Sequence, residues 1–360
     1  DVFGADGHPA DALVARAVRS PCHRASFRFG DIAAWVAGSP GVVRVFTAAD
    51  VPGRNAFGVI PVSVDQPAFA VAEARFKGEA VALVVGEAGA MAALDLASFP
   101  VSWEELPALT TIDAALAADA CVLHASRSGN VLTRGRVARG DVDAALRSAD
   151  AIAEGSFDTG FVEHAYIEPE AGWAVRIGDA LELHVSTQTP YQHRDETARV
   201  LGLPKERIRL IPTACGGGFG GKLDLNVHPL VALAAWKTGK PVAYAYSRPE
   251  SMAASTKRHP AIVRVRAGCN ESGRLTALWS HAELDTGAYA SWGPTVANRV
   301  PVHASGPYVV PNVSTRGTAY FTNAPPSGAF RGFGVPQSAI ASEATMDELA
   351  DRLGMDWLAF

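Results

Sequence analysis

An α+β fold with more than one hydrophobic core is what this sequence predicts, and three observations predict it. The chain has 360 residues, 48% of them hydrophobic, which is enough apolar surface for two or three domains rather than one. Over the first hundred-odd residues, β-branched apolar runs alternate with short Ala-rich helical stretches. Beyond residue 150, longer strand-like runs surround a helix with a clear start at Thr189-Pro190-Tyr191-Gln192.

Taken in order, Ser26–Phe29 alternates polar and apolar residues as a half-buried strand does. Asp31 is placed to cap the short helix "IAAWVA", and Gly38 to end it. Val42–Thr47 reads as a strand and "AADVPGRN" as a loop. "AVALVVG" (Ala80–Gly86) is a β-branched run of buried-strand type. A helical stretch, "EAGAMAALDLA", and a short strand near "VSW" follow it. Together these make an α/β module over residues 1–115.

Residues 116–150 are polar and aperiodic around "SRSGN" and "TRGRVARGD", and read as a connector closed by a short helix in "DVDAALRSAD". A second region, 151–360, opens with strands in "AIAEGSF", "GWAVRI" and "LELHVST". In the next helix Thr189 stands as N-cap, Pro190 occupies the first helical position, and Gln192 at N3 completes a capping box. The strand "RIRLIPT" leads into "GGGFGGKLD". The helix "PLVALAAWKTG", the strand "VAYAYS", and longer strands around "AIVRVRA" and "LTALWSHAELD" come after it. A final helix, "SEATMDELADRLG", aligns Met346, Leu349 and Leu353 on one face and stops at Gly354.

The net charge of −5 supplies no basic excess for releasing counterions from phosphates, so no nucleic-acid partner is expected. No apolar run approaches the length of a membrane-spanning helix, so no membrane partner is expected either. The first residues lack the basic-then-apolar order of a signal peptide and do not begin with Met, as in a processed chain or a fragment. The four cysteines are far apart, with no C-x-x-C pair. That excludes a cysteine-ligated zinc or iron–sulfur site of usual spacing on this chain, and points to a reducing cytoplasm.

The stretch Gly216–Asp224 satisfies two phosphate-binding patterns at once. Gly216, Gly218 and Gly221 fit G-x-G-x-x-G, and Gly216 with Gly221-Lys222 fits the first seven P-loop positions. Leu223 follows Lys222, so the hydroxyl that would ligand Mg²⁺ is missing and an NTPase is excluded. A dinucleotide fold needs an acidic residue at the end of the next strand. That strand leads instead to Arg248, which suits a 2′-phosphate and keeps an NADP-dependent oxidoreductase open as an alternative. Five glycines around one Phe exceed what a phosphate turn requires. A second loop, "GAFRGFGVP" (Gly328–Pro336), has the same character. Such glycines let backbone N–H groups approach an anionic cofactor, and the Phe rings can exclude water or stack on a planar substrate.

At these residues the sequence resembles the molybdenum-cofactor-binding subunit of the xanthine dehydrogenase and aldehyde oxidase family of molybdenum hydroxylases. Four stretches carry the resemblance: "EHAYIEPE" (Glu163–Glu170), "STQTPYQHRDETARVLGLPKERIRLI" (Ser186–Ile211), "CGGGFGGK" (Cys215–Lys222) and "GAFRGFGVPQ" (Gly328–Gln337). The N-terminal module resembles the family's hammerhead domain through "RSPCHRA", "GVVRVFTAADVPG", "RFKGEAVALVV" and "VSWEELPA". The implied fold is therefore a hammerhead-like α/β N-terminal domain followed by the first part of a molybdenum-cofactor-binding α+β region.

The resemblance implies molybdopterin, in the cytosine dinucleotide form, carrying molybdenum that the pterin dithiolene holds. It also implies an iron–sulfur subunit with [2Fe–2S] clusters, an FAD subunit and a second molybdopterin-binding chain as partners. The implied reaction inserts water-derived oxygen at an electron-poor sp² carbon of a small-molecule substrate. On this chain Gly218, Phe219 and Gly220 match the loop beside the metal, and Arg331 matches a cofactor-contacting arginine. Phe333 matches the aromatic that stacks on the substrate, and Arg299 a substrate-polarising arginine.

Val162 stands where xanthine-oxidising members carry a Gln, and Leu223 where they carry a substrate-binding Glu. The pattern is closer to the nicotinate-dehydrogenase branch, so an N-heteroaromatic substrate, nicotinate-like or a purine, is expected, with an aldehyde as the alternative. The family's catalytic glutamate lies far beyond "AFRGFG". Nothing promotes Glu163, Glu168, Glu170 or Asp224 to that role, so the base is expected on a further C-terminal part or on a partner chain. A non-catalytic assembly subunit is the reading that Val162 and Leu223 would favour.

Overall fold

The structure is a computed structural model describing residues 1–360. From the N-terminus, β1 (Leu13–Arg19) and β2 (Ala25–Phe29) precede α1 (Ile32–Ala37), β3 (Val42–Thr47), the short β4 (Glu73–Ala74) and β5 (Ala80–Gly86). Next come α2 (Ala88–Ala93), β6 (Val101–Glu105), α3 (Ile112–Leu116), β7 (Val131–Arg139), α4 (Val142–Arg147) and β8 (Ala151–Thr159). The hairpin β9 (Ala171–Ile177) and β10 (Ala180–Val185) leads to α5 (Pro190–Leu201), β11 (Ile208–Pro212), α6 (His228–Thr238), β12 (Val242–Ala245) and α7 (Arg248–Ala254). Long strands β13 (Ala261–Cys269) and β14 (Leu275–Gly287) are followed by α8 (Gly293–His303), β15 (Asn312–Phe321) and α9 (Val335–Leu353).

These elements form the α+β architecture that the sequence predicts. The largest sheet has the order β11-β10-β9-β12-β1-β5-β3, a second has β7-β15-β14-β13-β8, and a small one has β4-β2-β6. Leu181, Leu183 and Val185 of β10 pack with Val200, Leu201, Val231 and Leu233 of α5 and α6 in the first core. Strands β13 to β15 pack with α8 and α9 in the second. β5, buried along almost its whole length, also packs with Phe27, Met91 and Phe99 in a third. The large sheet draws strands from the N-terminal module and from the region after residue 150, because β1 pairs in parallel with β12 through Leu13↔Val242.

Three expectations change. Within the stretch read as an irregular connector, Val131–Arg139 is an edge strand antiparallel to β15. Its interior Gly135, paired with Gly317, reads as a breaker. A Cβ on Gly135 would lie 3.1 Å from Ala297 O, and one on Gly317 only 2.4 Å from it, so the two glycines let α8 lie directly on the sheet. The predicted helix start at Thr189 is correct, but no capping box forms. Thr187 Oγ1 accepts the Thr189 N–H at 3.0 Å, and Gln192 turns its amide to Glu196 at 3.1 Å. The last helix begins at Val335, directly after the second Gly-Phe loop, with Gly334 as N-cap at φ +92°.

The topology also speaks against a dinucleotide unit. A Rossmann crossover sets the strand after the helix in the same parallel run as the strand before it. Here β12 is separated from β11 by β10 and β9, and β9 is antiparallel to its neighbours.

Leu183→Ala, which empties a fully buried position in the first core, is expected to cost roughly 2–5 kcal/mol in denaturant unfolding. Leu358→Ala at a solvent-exposed position should stay within about 0.5 kcal/mol of wild type.

Candidate functional site

Three loops meet: residues 160–170 after β8, 213–227 after β11, and 322–334 before α9. Arg331 N–H donates to Phe219 O at 2.9 Å, which ties the second Gly-Phe loop to the first. Gly220 makes this approach possible: at φ +107°, a Cβ there would lie 2.6 Å from Ala329 O. His164 Nε2 donates to Ala329 O at 2.8 Å, and its ring stacks on Phe330 at 4.1 Å. Burial pushes His164 down to about 4, with the Lys257 and Arg258 cations adding to the effect and the Ala329 carbonyl opposing it. The Arg258 guanidinium lies 4.0 Å over the Phe330 ring and donates to Arg331 O at 2.8 Å.

Beneath the first loop, Lys222 is buried at 1% exposure and pairs with Glu168 at 2.6 Å. Glu168 Oε2 also accepts from Gly216 N–H at 2.7 Å and Ser186 Oγ at 2.8 Å, while Oε1 accepts from Gly4 N–H at 2.9 Å. Burial alone would raise this carboxyl, but Lys222 and the other donors hold it below the usual carboxylate range. Lys222 is therefore committed inside the fold rather than presented to a phosphate. The Gln188 side-chain oxygen accepts from Gly220 N–H at 3.0 Å and Lys222 N–H at 3.3 Å.

Four non-glycine residues have positive φ, and all four lie on these loops or beside them: Ala165 (50°), Phe219 (50°), Ser291 (41°) and Phe333 (52°). Such conformations cost about 1–3 kcal/mol each and cluster at functional sites. Phe219 is 49% exposed despite its size. The N–H groups of Gly217, Gly218 and Phe219 bond to no acceptor of the chain, which leaves three consecutive donors available to an anion.

The sequence-predicted residues fall into two groups. Gly218, Phe219, Gly220 and Arg331 come together through the hydrogen bond between the loops. Arg299, on α8, has its guanidinium 5.4 Å over the Phe333 ring, with no carboxylate partner. Leu223 is half-buried and connects to Phe333 through neighbours. Asp224 accepts from the Ser291 hydroxyl at 2.9 Å, and the adjacent Trp292 meets Phe333 edge-to-face at 5.6 Å. Val162 is exposed, and its carbonyl accepts from Arg258 N–H.

Each nearby carboxylate makes at least one internal bond, although Glu170 Oε2 and Asp224 Oδ2 are buried without a partner. Glu163 pairs with Lys257 at 2.6 Å, Glu168 with Lys222, and Glu170 accepts from the Tyr166 hydroxyl. Asp224 is buried, which pushes its carboxyl up to about 7. Among the participants that carry no role in the sequence reading are His164, Gln188, Arg258, Ser291 and Trp292. Gln188 lies inside a stretch that carries the resemblance, whereas nothing local marks Ser291 or Trp292.

Comparison with known proteins gives matches along nearly the whole chain. Residues 2–107 match the aldehyde oxidase and xanthine dehydrogenase a/b hammerhead domain, and residues 123–360 match the molybdopterin cofactor-binding domain. The nicotinate dehydrogenase large molybdopterin subunit of Eubacterium barkeri is 39% identical over 98% of this chain and 82% of its own length. A probable xanthine dehydrogenase subunit of Bacillus subtilis is 38% identical over 88% of this chain and 42% of its own. The aldehyde oxidoreductase structure from Desulfovibrio gigas superimposes with a TM-score of 0.90 at 32% identity, over 97% of this chain and 39% of that one. The chain thus spans less than half the length of the last two.

Two outcomes test this geometry. Glu168→Gln leaves Lys222 as an uncompensated buried charge, and should cost on the order of 3–5 kcal/mol by chemical denaturation. Glu168→Gln/Lys222→Met should recover part of that loss. The native state binds fewer protons at His164 than the unfolded chain does, so its contribution is complete above pH 6.5 and lost as pH falls towards 4. The stability advantage of wild type over His164→Gln should therefore shrink by roughly 2–3 kcal/mol between neutral pH and pH 4.

Proposed function

The chain belongs to the aldehyde oxidase and xanthine dehydrogenase family of molybdenum hydroxylases, and from that premise we propose that it binds the molybdenum cofactor in an enzyme hydroxylating a nicotinate-like N-heteroaromatic compound. The observation carrying the substrate class is Arg299 over the Phe333 ring, without a carboxylate partner. A planar ring stacked on Phe333 would place an anionic substituent, or negative charge developing on a ring nitrogen, within reach of that guanidinium.

The residues present fit the cofactor. The bond-free N–H groups of Gly217, Gly218 and Phe219, with the exposed guanidinium of Arg331, suit anionic oxygens of a metal–pterin group. When bound, the molybdenum of the cofactor would accept the two electrons and activate the water-derived oxygen that the substrate carbon receives. Gly218 and Gly220 let the first loop sit close to its supports, and the φ +50° backbone of Phe219 leaves its ring outward as a wall against water. Leu223 offers an apolar wall in place of a hydrogen-bonding carboxylate, which disfavours a purine.

Glu163, Glu168, Glu170 and Asp224 are all tied into internal bonds. In this reading the catalytic base lies on a further C-terminal part or on a second molybdopterin-binding subunit, because none of these four carboxylates is presented at the exposed face of the two loops. Iron–sulfur and FAD subunits would carry the electrons away, and the pterin would take the cytosine dinucleotide form. Aldehyde oxidation is the second reading, favoured by the same apolar Leu223.

The assembled complex should contain stoichiometric molybdenum and hydroxylate nicotinate; an active preparation with no metal above background defeats the proposal. Arg331→Ala should lower molybdenum content. Arg299→Ala should raise the KM for nicotinate by roughly 30-fold, the loss of one charge-assisted hydrogen bond, and change the KM for an uncharged aldehyde far less.

A further inference from the structure

Two buried histidines below the first Gly-rich loop have no part in the roles above. His193 lies on α5 and His228 opens α6, with their rings edge-to-face at 4.4 Å. Their protons can be placed from their partners. Asn226 N–H donates to His228 Nδ1 at 3.3 Å, so His228 carries its hydrogen on Nε2. That hydrogen points at His193 Nδ1, 3.1 Å away. His193 is then protonated on Nε2, which donates to Leu223 O at 3.1 Å. The Thr187 hydroxyl, 2.7 Å away, donates to the same His193 Nδ1. Hydrogen bonds run in one direction, from the backbone at 226 through two imidazoles to the backbone at 223.

The pattern works only with both rings neutral, because a hydrogen on His193 Nδ1 would face two donors. Burial keeps them so, pushing His193 down to about 4 and His228 well below its ordinary value. Leu223 is gripped on both sides of its backbone, since its N–H also donates to Gly220 O at 3.2 Å. Two apolar side chains of similar size would fill the space between α5 and α6 without polar groups to satisfy. What the imidazoles add is a directed hold on one carbonyl.

We infer that His193 and His228 are positioning residues, a neutral two-histidine clasp that fixes Leu223 and thereby the shape of the substrate wall. This rests on the proposed role of Leu223 at the substrate. The wall so fixed continues through Asp224, Ser291 and Trp292 to Phe333. The clasp is therefore a determinant of substrate discrimination rather than of the chemical step.

Hydrogen–deuterium exchange and steady-state kinetics on the assembled complex test it, using His193→Phe and His193→Gln. Phe keeps the bulk and loses the bonds; Gln keeps an N–H for Leu223 O and an acceptor for His228. In His193→Phe, amides of residues 223–226 should exchange about tenfold faster, the size of one lost buried hydrogen bond. The KM for nicotinate should rise by a similar factor, with the change carried by KM more than by kcat, and His193→Gln should restore both. Should His193→Phe not assemble, His228→Leu cuts the same chain one link upstream and is read in the same way. Unchanged exchange at 223–226, an unchanged KM despite faster exchange, or identical behaviour of the Phe and Gln variants overturns the inference. A complex without molybdenum defeats the functional reading instead; exchange, which needs no cofactor, then decides the clasp alone.

Discussion

The candidate site depends on a single carboxylate. Glu168 gathers Lys222, Ser186, Gly216 and Gly4 onto its two oxygens, so the start and end of the Gly-rich loop, the end of β10 and the N-terminal segment converge on one point. A buried ion pair adds little net stability over apolar residues of equal volume. It does have one geometry, and a loop of five glycines has almost none of its own. The ring of Tyr166, 4.8 Å from Lys222 Nζ, and Gln188 complete the support that glycine composition cannot supply.

That support is what allows the loops to hold unfavourable backbone. Phe219 and Phe333 each take a conformation that L residues avoid, and each is followed by a glycine that also has positive φ. An isolated loop would relax. Here the Arg331–Phe219 hydrogen bond, the His164–Ala329 hydrogen bond and the stacking of Arg258 and His164 against Phe330 leave no relaxed alternative. The cost is met by the cores on either side, and the product is an exposed aromatic ring beside unbonded N–H groups.

Much of this was legible in the sequence where the signal is local. Asp31 caps α1 by accepting from Ala34 N–H, and the apolar run of β5 is buried as its composition predicts. Glycine-flanked Phe219 and Phe333, with Arg331, marked the two loops that meet. What stayed hidden depends on partners distant in sequence. Gly135 and Gly317 disguise two strands because their purpose is to admit a helix. Pro294 and Pro301 disguise α8, although Pro294 sits in its first turn and the Pro301 carbonyl is taken by Thr315. Ser291 has no sequence signature, because its role lies in a hydroxyl reaching Asp224 across the site.

The pairing of β1 with β12 has a consequence for how the molecule is made. Ala17 N–H donates to the Tyr244 hydroxyl, a contact closing a loop of 227 residues. Such closures are slow, because the entropy of ordering a long segment is lost before the contact returns anything. During synthesis, β1 must wait with one edge bare until β12 has emerged, and an unpaired apolar edge invites association with other chains. The N-terminal module is therefore completed only when β12 arrives. Its exposed interval on the ribosome, rather than its final stability, is where chaperones would matter most.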